Sequence, residues 1–236
     1  MEIVSRAPNL QEFQNRLCLD WVEYFPVEKT HIIKDIMLPM HLKPCIDGTK
    51  ISLLWDKFLQ SEPKLHALTL RYFVAFGNFT REKYLNGLIS IIRCCSDSLR
   101  MMELDYGGTL DLKTISERLI PLSNVLRLSL NIFMAADVQT AQEFQRWSLA
   151  LIFPNVTTVV FSFLESVQSL KAEGSELFPW TTVTKVELKY PKSRNVNVNV
   201  AELGLLFPNA HTLEISRDSS YFDPMEFQQI LSSWGF

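Results

Sequence analysis

The sequence lacks the features that mark nucleotide-binding, hydrolytic and metal-dependent enzymes. Only 8 of the 236 residues are glycine, and no phosphate loop, dinucleotide fingerprint or nucleophile elbow occurs. The single glycine pair, Gly107–Gly108, follows a predicted strand but lacks the third glycine and the lysine of a nucleotide loop, so we interpret it as a turn. None of the histidines (His31, His41, His66 and His211) has metal-ligand spacing. We therefore expect a non-enzyme with no catalytic residue, no cofactor and no metal.

An excess of basic residues and a long apolar run are also missing. The net charge is −3 and the pI is about 5.9, whereas nucleic-acid binders usually carry a basic surface. No apolar run approaches the roughly 18 residues of a membrane span. Cysteine is scarce, and the adjacent Cys94 and Cys95 are poorly placed to pair, so free thiols in a reducing compartment are expected. The first residues lack the basic-then-apolar order of a signal peptide. We expect neither nucleic acid nor membrane as a partner, and a cytoplasmic or nuclear location.

A short strand-like motif recurs along the chain. It consists of an aliphatic residue, two variable residues, an aliphatic residue, one variable residue and a further apolar residue. The six copies are Leu65–Leu68–Leu70, Leu99–Met102–Leu104, Val125–Leu128–Leu130, Val156–Val159–Phe161, Val183–Val186–Leu188 and Ala210–Leu213–Ile215. Their first residues are between 26 positions (99 to 125) and 34 positions (65 to 99) apart. A period in this range indicates a solenoid of stacked repeats.

Helical apolar spacing precedes most copies of the motif, and a proline often separates helix from strand. Ile91 and Ile92, for example, belong to a helical stripe before Leu99. Proline ends a helix and favours extended backbone in the residue before it. Because each strand would return through a helix, neighbouring strands should be parallel. The sequence thus predicts an α/β fold with one strand layer and one helix layer enclosing a core.

Two weaker repeats are predicted upstream. One opens at Pro8–Leu10 and places Phe13 in the second apolar position; the other is interpreted as Met37–Met40–Leu42, although Pro39 is unfavourable inside a strand. We expect a single irregular repeat domain over 1–236, with weak repeats in 1–50, well-supported repeats in 51–216 and the start of a further repeat in 217–236. Because no polar cap is evident at either end, we expect the chain to be a piece of a longer protein.

The motif, the period and one turn phrase together resemble a leucine-rich repeat array. The phrase reads Phe153–Pro154–Asn155–Val156 and Phe207–Pro208–Asn209–Ala210, and it is similar to the long, irregular repeats of F-box proteins. The resemblance implies a curved solenoid, with a parallel sheet on the concave side and helices on the convex side. It also implies that the array recognises a substrate protein for a ubiquitin ligase, whose adaptor would dock on an N-terminal module; no F-box is found in this sequence.

One departure from the family concerns the asparagine or cysteine that usually follows the last apolar residue by three places. Other residues stand there in every copy, namely Phe73, Gly107, Phe133, Leu164, Pro191 and Asp218. We therefore expect the buried side-chain ladder formed by that asparagine to be missing.

The variable strand positions are the candidate binding residues, because successive side chains of a strand point to opposite faces. The charged residues predicted to bind a protein are Arg71, Glu103, Asp105, Arg127, Lys185, Glu187 and Lys189. Glu103 and Asp105 are expected beside Arg71 and Arg127, and the other three form a second cluster. The alternative for any one residue is that it only solvates the sheet. For the chain, the alternative is a repeat scaffold or regulatory protein with no ubiquitin link.

Overall fold

The computed structural model describes residues 12–14, 35–38, 56, 59–60, 62, 64–70, 86–87, 89–106, 118, 121–132, 149–163, 179–190, 204–217, 228 and 232. The chain divides into two compact units. The first comprises Met1–Leu104 with Thr109–Val125, and the second comprises Asp105–Gly108 with Leu126–Phe236. Each unit is considered by itself below.

Parallel strands form the sheet of each unit. The first unit contains β1 (Glu12–Gln14), β2 (Asp35–Leu38), β3 (Ala67–Leu70) and the first four residues of β4 (Met101–Tyr106). The second contains β5 (Arg127–Ile132), β6 (Thr158–Phe163), β7 (Lys185–Tyr190) and β8 (Thr212–Arg217). Within each unit the strands are parallel neighbours in chain order. The predicted parallel pairing is confirmed.

Helical residues lie between the strands, as the α/β prediction requires. Helix α1 (Leu149–Ile152) precedes β6, and residues 56, 59–60, 86–87, 89–94, 118, 204–206, 228 and 232 are also helical. Ile91 and Ile92 of the predicted stripe are buried, so this stripe faces a core. Among the described residues, no helix has the length and apolarity needed to cross a bilayer.

The register of the strands aligns the copies of the motif. The second apolar residues of the four copies in the second unit are paired across the sheet, namely Leu128, Val159, Val186 and Leu213. In the first unit Leu68 pairs with Met102. The motif side chains on β5, β6 and β7 are fully buried, whereas Leu213 and Ile215 on β8 are partly exposed. Each sequence period therefore contributes one strand to the sheet, and the apolar motif residues of that strand lie on the core side.

One carbonyl group links each repeat to the next at the start of the strands. The carbonyl oxygen of Thr157 accepts hydrogen bonds from the backbone N–H groups of Thr184 and Lys185, at 2.9 and 3.0 Å. Equivalent pairs of bonds are accepted by the carbonyls of His66, Leu126 and Thr184. His211 donates its backbone N–H to Thr184 at 3.0 Å. His66 and His211 thus occupy the same place in their repeats, as the sequence indicates.

A buried residue anchors the turn before each strand of the second unit after β5. Phe153, Trp180 and Phe207 stand three places before the first motif residue, and their carbonyls accept the N–H of that residue. The Phe207 ring centroid lies 5.9 Å from that of Phe161 and 6.2 Å from that of Trp180. The aromatic residue of the turn phrase is therefore a core residue. Pro208 and Asn209, which follow it, are exposed.

Asparagines in two turns form bonds between repeats. Asn209 donates from Nδ2 to the carbonyl of Thr181 at 2.8 Å, and Asn124 donates to the carbonyl of Ser96 at 3.5 Å. The six positions at which the family asparagine is replaced lie outside the residues whose side chains are described, so the absence of its ladder stays a prediction. The turn asparagines supply repeat-to-repeat hydrogen bonds at a different place.

A strand is present in each of the two predicted upstream repeats, but the position of the second strand is corrected. Phe13 pairs with Ile36, and Ile36 pairs with Leu68, so the β1 prediction is confirmed. The residues of β2 in register with the motif residues Leu68 and Leu70 are Ile36 and Leu38, so the placement at Met37–Met40–Leu42 is wrong. Pro39, which has no backbone N–H for a central strand, directly follows β2. The prediction of a further repeat in 217–236 falls almost entirely outside the described residues.

Two of the four cysteines lie in the described part of the chain. Neither Cys94 nor Cys95 forms a disulfide, as predicted. Burial raises the pKa of the Cys95 thiol to about 11. Burial, with a smaller contribution from the negative charge of Glu62, also raises the pKa of Cys94. Both thiols therefore stay protonated at neutral pH, which makes them weak nucleophiles.

Candidate protein-binding face

The strand face opposite the core carries the variable residues of the second unit, and we call it the polar face. Strand register arranges its side chains in three rows that run across the sheet. The first row is Arg127, Thr158, Lys185 and Thr212; the second is Ser129, Val160, Glu187 and Glu214; the third is Ser162, Lys189 and Ser216. The same alternation that buries the motif residues thus collects these positions on one surface.

Four charged side chains of the first two rows form one ion-pair network. Arg127 donates from its two terminal nitrogens to the two carboxylate oxygens of Glu187, at 2.9 and 2.7 Å. Lys185 Nζ lies 3.2 Å from Glu187 Oε1 and 2.7 Å from Glu214 Oε1. The bidentate arginine–carboxylate geometry is the stronger kind of charge-assisted bond. Two positive and two negative groups thus compensate each other.

The Arg127–Glu187 pair joins β5 to β7 and therefore crosses β6. Val160 of β6 stands in register with Ser129 and Glu187, and it is fully buried although it belongs to the polar face. Glu187 itself is only 9% exposed. Val160 is thus an apolar residue in the middle of the polar face that is shielded from solvent. It lies on the strand that the Arg127–Glu187 pair crosses. The stem of a long cationic side chain commonly covers apolar surface in this way.

The network shifts the pKa values of its members in the directions that strengthen it. The hydrogen bond from Arg127, helped by Lys185, lowers the pKa of Glu187 despite the opposing effect of burial. Hydrogen bonds to Glu214 and Glu187 raise the pKa of Lys185. The charged forms of both groups are therefore favoured at neutral pH.

We expect the contribution of Glu187 to folding to be lost in acid. Because its folded-state pKa is lowered below the unfolded value of about 4.3, this contribution is fully present above that value and disappears as the pH falls through the folded-state pKa. Glu187→Gln should lower the free energy of unfolding by about 1–2 kcal/mol at neutral pH and by much less near pH 3. The measurement is urea denaturation of both proteins at the two pH values.

The contributions of Glu187 and Lys185 to stability are lost in different pH ranges. The raised pKa of Lys185 keeps its contribution below the unfolded-state value of about 10.4, and the contribution is lost only in stronger base. Lys185 thus stays charged on acidification, and the difference between the parent protein and Glu187→Gln reports on Glu187. An equal loss of stability in Glu187→Gln at both acidic and neutral pH would contradict the assignment of an acid-sensitive ion pair.

The structure brings three of the seven predicted site residues together. Arg127, Lys185 and Glu187 form the network, and Lys189 lies in the third row with an exposed side chain. In the first unit Glu103 is a half-buried residue of β4 in register with Thr69, and Asp105 is in the same strand. Arg71 lies outside the described residues, so its expected position beside the two acidic residues stays a prediction.

Among the members of the polar face that were not selected from the sequence as site residues, two bear on the ion-pair network. Glu214 closes the network through Lys185, and Val160 is the buried residue between Ser129 and Glu187. A signal for Glu214 was present, because it occupies the same variable place as Glu187 in the next repeat. No comparable signal marks Val160, since its burial depends on side chains from other strands.

The described part of the chain contains no cluster of three or more histidine, cysteine or carboxylate side chains that could hold a metal ion. No protein-family model matches the chain, and no curated protein matches it. The polar face is therefore interpreted from its own geometry.

Proposed function

We propose that the chain is a non-enzymatic leucine-rich repeat array and that its polar face binds a protein partner. In this proposal the sheet is curved and the polar face is its concave side. The observation that carries it is the alignment, within each unit, of the copies of one sequence motif, whose apolar residues lie on the core side of parallel strands and whose variable residues lie opposite. Repeat arrays use such extended surfaces for recognition.

The ion-pair network supports binding by a preformed surface. Arg127 and Glu187 are held by two hydrogen bonds, and Lys185 is held by two carboxylates. Side chains that are already fixed lose little conformational entropy when a partner arrives, which leaves more of the contact energy available for affinity. We therefore assign Glu187, which is nearly buried, to holding the two cations and the exposed residues around it to direct contact.

We further propose that the partner is the substrate of an F-box-type ubiquitin ligase receptor. The support is the resemblance of the two Phe–Pro–Asn turns, in which Phe153 and Phe207 are buried and each carbonyl accepts the N–H of the next motif. The array would then hold a target protein while a separate module docks the ligase adaptor. The alternative is a repeat scaffold or regulatory protein that binds its partner without a ligase.

Affinity purification of the tagged parent gene product from native extract distinguishes these two functions. Recovery of adaptor and cullin subunits together with one enriched protein supports substrate recruitment. Recovery of an enriched partner without ligase subunits contradicts the F-box proposal and favours the scaffold. Recovery of neither, from a folded protein, contradicts protein binding.

A further inference from the structure

The third row of the polar face differs from the first two in its hydrogen bonding. Its members are Ser162, Lys189 and Ser216, and within the described residues their side chains make no hydrogen bond or ion pair. Lys189 and Ser216 are exposed, and Ser162 is half-exposed. The charged groups of the first two rows, by contrast, are bonded to one another. Lys189 in the third row is therefore the charged side chain of the described polar face that is left for a new contact.

Strand register places the two hydroxyls on either side of the lysine. Ser162 pairs with Lys189 across β6 and β7, and Lys189 pairs with Ser216 across β7 and β8. Neighbouring strands are about 4.8 Å apart, so each serine side chain rises from the sheet beside Lys189, and the row as a whole spans two strand spacings. A lysine ammonium has three donors and no acceptor, and each serine hydroxyl can donate once. The third row is therefore a donor-rich surface suited to an acceptor.

The charge balance of the polar face also favours a ligand that accepts hydrogen bonds, and specifically one with a negative charge. The positive charges of Arg127 and Lys185 are compensated by Glu187 and Glu214. Lys189 then leaves a net charge of +1 on the described polar face, although the whole chain has a net charge of −3. A negatively charged group is attracted to this position, and a positively charged group is repelled.

We infer that the third row docks an acidic segment of the protein partner. Carboxylates of that segment accept hydrogen bonds from the Lys189 ammonium and from the Ser162 and Ser216 hydroxyls on either side of it. This inference rests on the proposed function, since it names the chemistry of the partner that the polar face binds. A nucleic acid, whose phosphates are also acceptors, is the competing ligand, and one unpaired lysine beside two ion-paired cations offers little charge to a row of phosphates.

Selection from a displayed library of random short peptides tests the inference on the intact chain. We expect the enriched peptides to be rich in aspartate and glutamate. Their affinity should fall about tenfold in Lys189→Glu at low salt, because a favourable charge contact becomes a repulsive one. The same charge change at Lys64, which is exposed in the turn before β3, should leave affinity within about twofold. Added salt should weaken binding to the parent chain.

A second variant shows whether the loss of binding in Lys189→Glu comes from misfolding. Because Lys189→Glu adds a carboxylate near Glu187 and Glu214, Lys189→Ala should be measured beside it, with an expected loss of about three- to fivefold. Enriched peptides that are neutral or basic, or undiminished binding by both Lys189 variants, would overturn the inference and leave protein binding intact. Tighter binding of single-stranded DNA than of any selected peptide would also overturn it. A lack of any enriched peptide would overturn the proposed function as well.

Discussion

Val159→Asp should unfold the second unit or lower its free energy of unfolding by about 4 kcal/mol or more. Val159 is fully buried in β6, where its neighbours in register are Leu128 and Val186. The substitution removes apolar burial and places a carboxyl group among aliphatic side chains with no partner, which is among the most costly single changes. Urea denaturation followed by circular dichroism measures the loss.

The adjacent residue is the matched control. Thr158 lies on the polar face, half-exposed and in register with Arg127 and Lys185. Thr158→Asp adds the same carboxylate beside two cations, so we expect a change of less than about 1 kcal/mol. If Thr158→Asp were as damaging as Val159→Asp, the assignment of the two faces would be wrong. The surface offered to a partner would then have to be reassigned.

Phe207→Ala should destabilise the second unit by about 3–5 kcal/mol. Phe207 is 1% exposed and contacts both Phe161 and Trp180 through tilted ring pairs. Its removal leaves a cavity between two repeats as well as losing apolar contacts. The prediction bears directly on the family resemblance, because it makes the phenylalanine of the turn phrase a structural anchor. Chemical denaturation is again the measurement.

A leucine two positions earlier provides the control for Phe207. Leu205 is 66% exposed on the preceding helical turn, so Leu205→Ala should change the free energy of unfolding by no more than about 0.5 kcal/mol. Equal effects of the two substitutions would show that Phe207 does not anchor the core. In that case the turn phrase would lose its structural explanation.

Local pattern was sufficient to predict the strands and their register. The spacing of Val156, Val159 and Phe161 recurs in the next repeat, and strand pairing aligns the two sets residue by residue. Burial of the motif on one side of a parallel sheet admits only one register, because a one-residue slip would turn every apolar side chain outward. The α/β class and the order of the strands could therefore be read from sequence.

In the weak second upstream repeat, the position of the strand depends on a single residue, Pro39. The β2 repeat was placed at Met37–Met40–Leu42, whereas the strand is Asp35–Leu38. Its residues in register with the motif of β3 are Ile36 and Leu38, and Pro39 directly follows the strand. Greater weight on that proline would have moved the strand upstream, since proline lacks the N–H group that a central strand requires.

The ion-pair network could not have been predicted, because it depends on contacts across strands. Arg127 and Glu187 are 60 positions apart and belong to strands that are not neighbours. Their pairing requires an arginine long enough to cross β6, on which the buried Val160 stands in register with Glu187. Sequence identified Arg127, Lys185 and Glu187 as candidates for contact with a partner, and it did not indicate that they bond to one another. Three-dimensional register is needed to separate the bonded charges from Lys189.

The most direct test of binding through the polar face compares two variants of the tagged, intact protein. The quantity compared is the set of proteins that each variant retains from native extract. One variant combines Arg127→Ala with Lys189→Ala on the polar face. The other combines Leu151→Ser with Leu205→Ser, which are exposed positions on helical turns. With both variants shown to be folded, we predict that the polar-face variant loses the proteins bound by the parent and that the helix variant keeps them. Unchanged recovery by the polar-face variant, with loss by the helix variant, would contradict binding through the polar face.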